Sequence, residues 1–257
     1  MSLVEYSVKE RVGYITLNRP EKRNALSHEL VSELKQAFEK AETDPKVKVV
    51  LLRANGEAFC AGADLAYLDK LRDFSYQQNL DDSNHLRSLL QKIYTFKKIV
   101  VAQVQGHALA GGCGLVTVCD FVFAIPEAKL GYTEVKIGFV PAMVMVFLIR
   151  RIGEQKAKHL LLSGELVNGD RAVDFGLVNR TVPKESIEGT VLEFMQKLVK
   201  GNSTQSMELT KKMIEEVQSM KLEDALDYAA ERNAYARTTD DFKKGIKAFL
   251  SKEDLNW

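Results

Sequence analysis

The sequence lacks the features that staple, anchor or strongly charge a protein. Only three of its 257 residues are cysteines, Cys60, Cys113 and Cys119, and an odd count without CxxC spacing gives no disulfide frame. The four histidines are scattered and form no H-E-x-x-H pair, so no metal is expected. With 36 basic and 35 acidic residues the net charge is +1, and no global field draws in nucleic acid or an acidic membrane. No aromatic–basic stripe suggests RNA either. The apolar run Val140 to Ile149 is too short to span a bilayer, so no membrane association is expected. Met1 to Glu5 show no leader pattern, and the cytoplasm is the expected compartment. What remains is an ordinary globular balance of 46% apolar and 28% charged residues. A fold of this length buries roughly 70–75% of the surface its unfolded chain exposes.

Val4 to Val8 and Val12 to Leu17 alternate apolar and polar residues and predict two strands joined by a short turn. Ser27 is a good N-cap, and Leu30, Leu34, Ala37, Phe38 and Ala41 recur at helical spacing after it. Val47 to Arg53, Ile99 to Val104 and Phe121 to Ala124 read as further strands, with Leu177 to Val182 the last. Residues 66–98 predict helix with a soft stretch at Gln77 to Ser83. Leu115 to Cys119 predicts a short helix, Ala142 to Leu162 a long one, and Ala172 to Phe175 one stopped by Gly176. From Glu185 onward helices are expected at 186–200, 204–219, 222–236 and 239–251. This order predicts an α/β core over residues 1–190 and a helical region over 191–257.

Three segments could carry chemistry. Glu57-Ala58-Phe59-Cys60-Ala61-Gly62-Ala63-Asp64-Leu65 follows a strand and opens a helix, and its small residues let backbone N–H groups approach a ligand. Gly106 to Leu115, with Gly111 and Gly112, makes a second strand-to-helix turn without a phosphate-loop signature. One N–H from each turn could polarise a single carbonyl oxygen; deleting such a donor costs about 3–4 kcal/mol of transition-state stabilisation. Glu134 stands in a largely apolar stretch, where desolvation would raise its pKa toward the range of a general base. The competing expectation is a surface glutamate paired with Lys129 or Lys136. His107 is expected to make a structural hydrogen bond, Cys60 and Cys113 to pack, and Asp64 and Asp120 to bond turns.

Taken together these residues resemble the crotonase family, whose members process acyl-CoA thioesters. Ala58 to Leu65 resembles its first oxyanion segment, Gly106 to Asp120 its second, and Leu130 to Pro141 the segment bearing a catalytic glutamate. Arg19 to Leu26 resembles its N-terminal CoA-contacting stretch and Asp240 to Leu250 its C-terminal helix. The resemblance implies a spiral of ββα units with a helical C-terminal trimerisation region, assembled as a homotrimer or a dimer of trimers. It implies Ala63 and Gly111 as oxyanion donors and Glu134 as the proton-transfer group. It places substrate contacts at Lys22, Ala25, Ala61, Asp64, Leu65 and Gly112, and puts Phe249 and Lys252 against CoA bound to a neighbouring subunit. No cofactor is implied, since CoA arrives as part of the substrate.

One departure bears on the reaction. Enoyl-CoA hydratases of this family typically carry two glutamates, and the first falls at Gly114 here. A single glutamate resembles Δ3-Δ2-enoyl-CoA isomerases. Gly112 to Val116 with Val140 to Val144 resembles methylglutaconyl-CoA hydratase-like members. Hydration of a short or branched 2-enoyl-CoA is the favoured expectation. Double-bond migration, acyl-CoA decarboxylation and a non-catalytic role binding CoA esters, RNA or a protein stay open.

Overall fold

The computed structural model describes residues 2–257. Strands β1 (Val4–Lys9) and β2 (Val12–Leu17) pair as an antiparallel hairpin, with Glu10 and Arg11 at positive φ in the turn. A 3-10 turn at Pro20–Lys22 leads to α1 (His28–Thr43), capped by the Ser27 hydroxyl accepting from Leu30 N–H. Its expected apolar stripe, Leu30 to Ala41, is buried. Then come β3 (Val49–Ala54), α2 (Leu65–Leu71), α3 (Tyr76–Tyr94), β4 (Ile99–Val104), β5 (Ala108–Leu109) and α4 (Gly111–Thr117). They are followed by β6 (Phe121–Ala124), β7 (Lys129–Gly131), α5 (Ala142–Ile152), α6 (Glu154–Ser163), β8 (Val167–Asn168), α7 (Gly169–Phe175) and β9 (Arg180–Thr181). Four helices end the chain: α8 (Ile187–Gly201), α9 (Thr204–Val217), α10 (Leu222–Thr238) and α11 (Asp240–Ser251).

The large sheet has the order β1-β2-β3-β4-β6-β9 and is parallel from β2 onward. Its central strands are buried on both faces, which is why β4 reads as a nearly continuous apolar run, broken only by the buried Gln103, instead of an alternating one. After each central strand the chain makes a second, shorter extended pass before entering a helix. These passes form their own ladder: Leu26 pairs with Ala63, Cys60 with Ala108, β5 with β7, and β7 with β8. The repeat is therefore strand, short pass, helix, which is the spiral the resemblance implies. Because the large-sheet strands run parallel, the short passes all follow the same end of that sheet.

The other end is closed by charged side chains. Lys48, just before β3, donates to Val199 O and Asn202 O at 2.7 and 2.5 Å, tying the strand start to the end of α8. Lys98 caps Ala41 O and Asp44 O at the end of α1, and Lys211 of α9 pairs with Asp120 at 2.7 Å. Trp257 N–H reaches Lys200 O, and the Arg11 guanidinium holds Trp257 O. The C-terminal helices thus gather at the strand starts.

Several element boundaries differ from the expected ones for local reasons. The helical stretch 66–98 breaks at Arg72–Ser75, ahead of Gln77 to Ser83, because Ser75 and Gln78 form a reciprocal capping box that starts α3. The helix expected from Ala142 to Leu162 divides at Gly153, whose φ of +78° suits glycine. The short helix expected at Leu115 begins at Gly111 and ends at Thr117. In the last expected strand only Arg180–Thr181 pairs, since Leu177 and Val178 N–H groups turn back to Ala172 O. A division at residue 190 falls inside α8, whose Ile187, Val191, Met195 and Val199 belong to the same apolar core as the sheet.

Candidate active site

The short passes bring the expected site segments side by side. Cys60 pairs with Ala108 and Leu109 N–H donates to Cys60 O at 2.9 Å, joining the first turn to the second. Ala108 and Leu109 pair with Leu130 and Gly131, and Ala110 N–H donates to Gly131 O at 2.8 Å, which adds the Glu134 segment. The contacts are too close for side chains. A Cβ on Gly112 would lie 2.3 Å from Cys60 O, and one on Gly62 would lie 3.0 Å from the Ala110 Cβ.

Each turn leaves N–H groups without a protein acceptor among the described residues. In the first, Ala61 N–H donates to Arg23 O and Asp64 N–H to Leu26 O, while Leu26 N–H donates to Gly62 O at 2.7 Å. Ala63 lies between them, solvent-exposed, and among the described residues its N–H has no protein acceptor. In the second, Ala110 adopts φ +50° and ψ −124°, a strained conformation for a residue with a Cβ. That bend starts α4 at Gly111, whose N–H also has no protein acceptor among the described residues. Two unpaired N–H groups on facing turns can hold one oxyanion.

Glu134 opens a 3-10 turn over Glu134–Ile137 and is buried, 9% exposed. Its Oε2 is enclosed and has no hydrogen-bond partner among the described residues. Burial raises its pKa above the ordinary glutamate value, against a smaller opposing pull from its own backbone N–H. The carboxylate forms no ion pair with Lys129 or Lys136 among the described residues. Tyr132, two residues earlier, is fully buried and its hydroxyl shares a 2.5 Å hydrogen bond with Thr117 Oγ1 of α4. Burial pushes the Cys113 thiol up to about 12, and the Glu134 carboxylate adds to that rise. The pairing of β7 with β5 and the Ala110 N–H bond to Gly131 O bring the Glu134 segment beside the start of α4.

Gly114 marks the departure from a two-carboxylate site. A Cβ there would lie 2.4 Å from Val144 Cγ1 of α5, with Leu90 Cδ2 of α3 at 3.9 Å. Hydrocarbon fills the space into which a side chain at this position would project.

The other expected contacts separate into two groups. Lys22 and Ala25 lie on the Arg19–Leu26 strap beside the first turn, Lys22 exposed and Ala25 buried. Ala61, Leu65 and Gly112 belong to the turns, and Leu65 is 82% exposed at the start of α2. Asp64 has its own partners: it caps α2 by accepting from Ala66 and Tyr67 N–H groups and pairs with Arg19 at 2.7 Å. Burial alone would raise its carboxyl, but Arg19 and those N–H groups outweigh it and hold the pKa below the ordinary aspartate value. Phe249 and Lys252 are exposed, the first on α11 and the second just after it.

The remaining polar candidates have structural partners. His107 Nδ1 accepts from Lys129 N–H at 3.1 Å, and Asp120 accepts from Val100 N–H and Lys211. Cys60 and Cys113 are buried packing residues. A cavity of about 750 Å3 lies elsewhere, lined by Tyr94, Asp120, Arg151, Lys211 and Trp257 at the strand starts. Among the described residues no group of three His, Cys, Asp or Glu side chains gathers as a metal site. Arg19, Asn24 and Val144 were not singled out by sequence reasoning; only Asn24, buried at positive φ, carries a signal in its residue type.

Residues 7–257 match the family model described as enoyl-CoA hydratase/isomerase. A Thermus thermophilus protein provisionally named an enoyl-CoA hydratase is 45% identical over 247 residues, covering 95% of this chain and 96% of its own. The 2,3-dehydroadipyl-CoA hydratase of Escherichia coli is 32% identical, covering 98% and 97%. Among solved structures, an enoyl-CoA hydratase from Mycobacterium smegmatis superposes with a TM-score of 0.93 at 30% identity, covering 99% of this chain and 98% of that one.

Proposed function

The chain belongs to the enoyl-CoA hydratase/isomerase family, and from that premise we propose that it hydrates a short or branched 2-enoyl-CoA through a thioester enolate. The observation that carries the reading is Glu134, a buried carboxylate with an unpartnered Oε2 beside the start of α4. In this reading the thioester oxygen accepts hydrogen bonds from Ala63 and Gly111 N–H groups. The Glu134 carboxylate takes a proton from water as its oxygen bonds to C3 of the acyl chain. The C2–C3 π electrons move toward the thioester carbonyl, giving an enolate whose charge the two N–H groups hold. Glu134, now protonated, returns the proton to C2. The sum is addition of H to C2 and OH to C3, with the carboxylate regenerated. No cofactor takes part; CoA is carried in by the substrate. The names of the hydratase relatives support the same reaction class.

A second reading, migration of a double bond from C3–C4 to C2–C3, is favoured by the Gly114–Val144 contact. There Glu134 would remove a proton from C2 and return it to C4, and no second carboxylate would be needed. The resemblance adds a homotrimeric assembly in which Phe249 and Lys252 of one subunit meet CoA held by another. Their exposure fits that reading. The test is the protein and its Glu134→Gln variant assayed with crotonyl-CoA, 3-methylglutaconyl-CoA and a 3-enoyl-CoA. Turnover of a 2-enoyl substrate, lost in the variant, supports hydration. Migration without water uptake overturns it in favour of the second reading. Tight CoA binding with no turnover of any substrate removes the enzyme reading.

A further inference from the structure

The Ala63 N–H is useful only if its direction is fixed, yet Ala63 is exposed and lies in the link between β3 and α2, outside the regular strands and helices. What holds the turn is the strap. Arg23 O, Leu26 N–H and Leu26 O bond successively to Ala61, Gly62 and Asp64, so the strap and the turn run as a two-stranded parallel pair around Ala63. The strap is itself unfavourable: Arg23 and Asn24 are consecutive residues in the left-handed region, at φ +49° and +54°. Two side chains hold it there. Asn24 is fully buried, accepts from Arg19 N–H at 2.8 Å, and donates to Asn55 O and Ala58 O at 2.9 Å each. The Arg19 guanidinium reaches over the strap, donating to Ala25 O at 3.3 Å and pairing with Asp64 Oδ2 at 2.7 Å. Both partners of that pair are largely buried, 18% and 10% exposed, so solvent screens it little.

Arg19 thus joins the two strands of the pair from opposite sides of the residue that bears the free N–H. We propose that Arg19 is a positioning residue for the reaction: its ion pair with Asp64 fixes the direction of the Ala63 N–H and so the polarisation of the thioester carbonyl. The inference rests on the reading above, in which that carbonyl lies between Ala63 and Gly111. It assigns Asp64 a different task from a substrate contact, since its two oxygens serve Arg19 and the cap of α2.

The test uses a push–pull chromophore, para-dimethylaminocinnamoyl-CoA, whose absorption moves to longer wavelength when its carbonyl is polarised. The unaltered protein should shift the band on binding. In Arg19→Gln the shift should largely vanish and kcat for crotonyl-CoA should fall about 10- to 100-fold, as expected for a displaced oxyanion donor. Affinity for free CoA, which has no thioester carbonyl, should stay within about twofold, and Arg19→Lys should recover part of both signals. Asp64→Asn keeps a capping oxygen and loses the ion pair, so it carries the same expectation if Arg19→Gln folds poorly. A retained shift with near-normal kcat in these variants overturns the inference. So does a loss of free-CoA affinity in proportion to kcat, which would mark general loosening. If the unaltered protein neither turns over nor shifts the band, the reaction reading falls first and this inference with it.

Discussion

Glu134 carries two opposed demands, and each is measurable. In the proposed role as a base it would have to be ionised, but its burial favours the protonated form. The acid limb of kcat/KM is therefore expected at a higher pH than an ordinary glutamate, near 4.3 in model peptides, would give. Glu134→Gln should lower kcat by about 10²–10⁴-fold, the usual contribution of a positioned acid–base group. For stability, a raised native pKa means the native state holds its proton more tightly than the unfolded chain. Stability from this group is then full at low pH and declines as pH rises through the unfolded and native pKa values. The glutamine variant should melt higher than the parent at neutral pH, and the difference should vanish in acid. Thermal melts across pH would show it; a variant that melts lower at neutral pH contradicts the desolvation account.

At the scale of elements, the contact between α4 and α5 is a close constraint on the site. Gly114→Ala places a methyl 2.4 Å from the Val144 side chain, so α4 and α5 must separate. Overpacking of this kind costs about 1–3 kcal/mol. The same change made together with Val144→Ala should cost distinctly less than the sum of the two alone, because the two side chains compete for one space. Denaturant unfolding of the four proteins in the cycle measures this. The start of α3 offers a second test. Ser75→Ala removes a reciprocal cap and should cost about 1 kcal/mol, read as faster amide exchange in the first turn of α3. No cap was expected there, although Ser75 and Gln78 have capping-box spacing. The soft composition of Gln77 to Ser83 obscured it, although those residues are helical. The central strands were legible because burial on both faces leaves apolar runs. The strands β5, β7 and β8 were not, since two or three residues carry no period.

For the whole molecule, the spiral explains which site residues could be read and which could not. Ala63 and Gly111 lie in stretches of small residues whose composition points to close backbone approach, so the turns stood out. Arg19 and Val144 act through long-range contacts, 45 residues apart for Arg19–Asp64 and 30 for Gly114–Val144, and nothing local marks them. Phe249 and Lys252 present the same difficulty on a larger scale, because the role the resemblance gives them lies against a neighbouring subunit. If they serve a neighbouring subunit, Phe249→Ala with Lys252→Ala should raise KM for a CoA ester several-fold and leave kcat nearly unchanged, the pattern of lost uniform binding. Light scattering on the same samples should report a trimeric or hexameric mass. A monomer with unaltered KM in the variant would contradict that arrangement.

The hydrocarbon at Gly114 has a stereochemical consequence. An enolate is planar, and one carboxylate approaches it from one face. If Glu134 both delivers the hydroxyl and returns the proton, the two must arrive on the same side of the former double bond. Hydration in deuterium oxide should then place deuterium at C2 syn to the hydroxyl at C3, giving a single diastereomer. Should migration prevail instead, the hydrogen should travel from C2 to C4 across one face, with part of it retained against exchange with solvent.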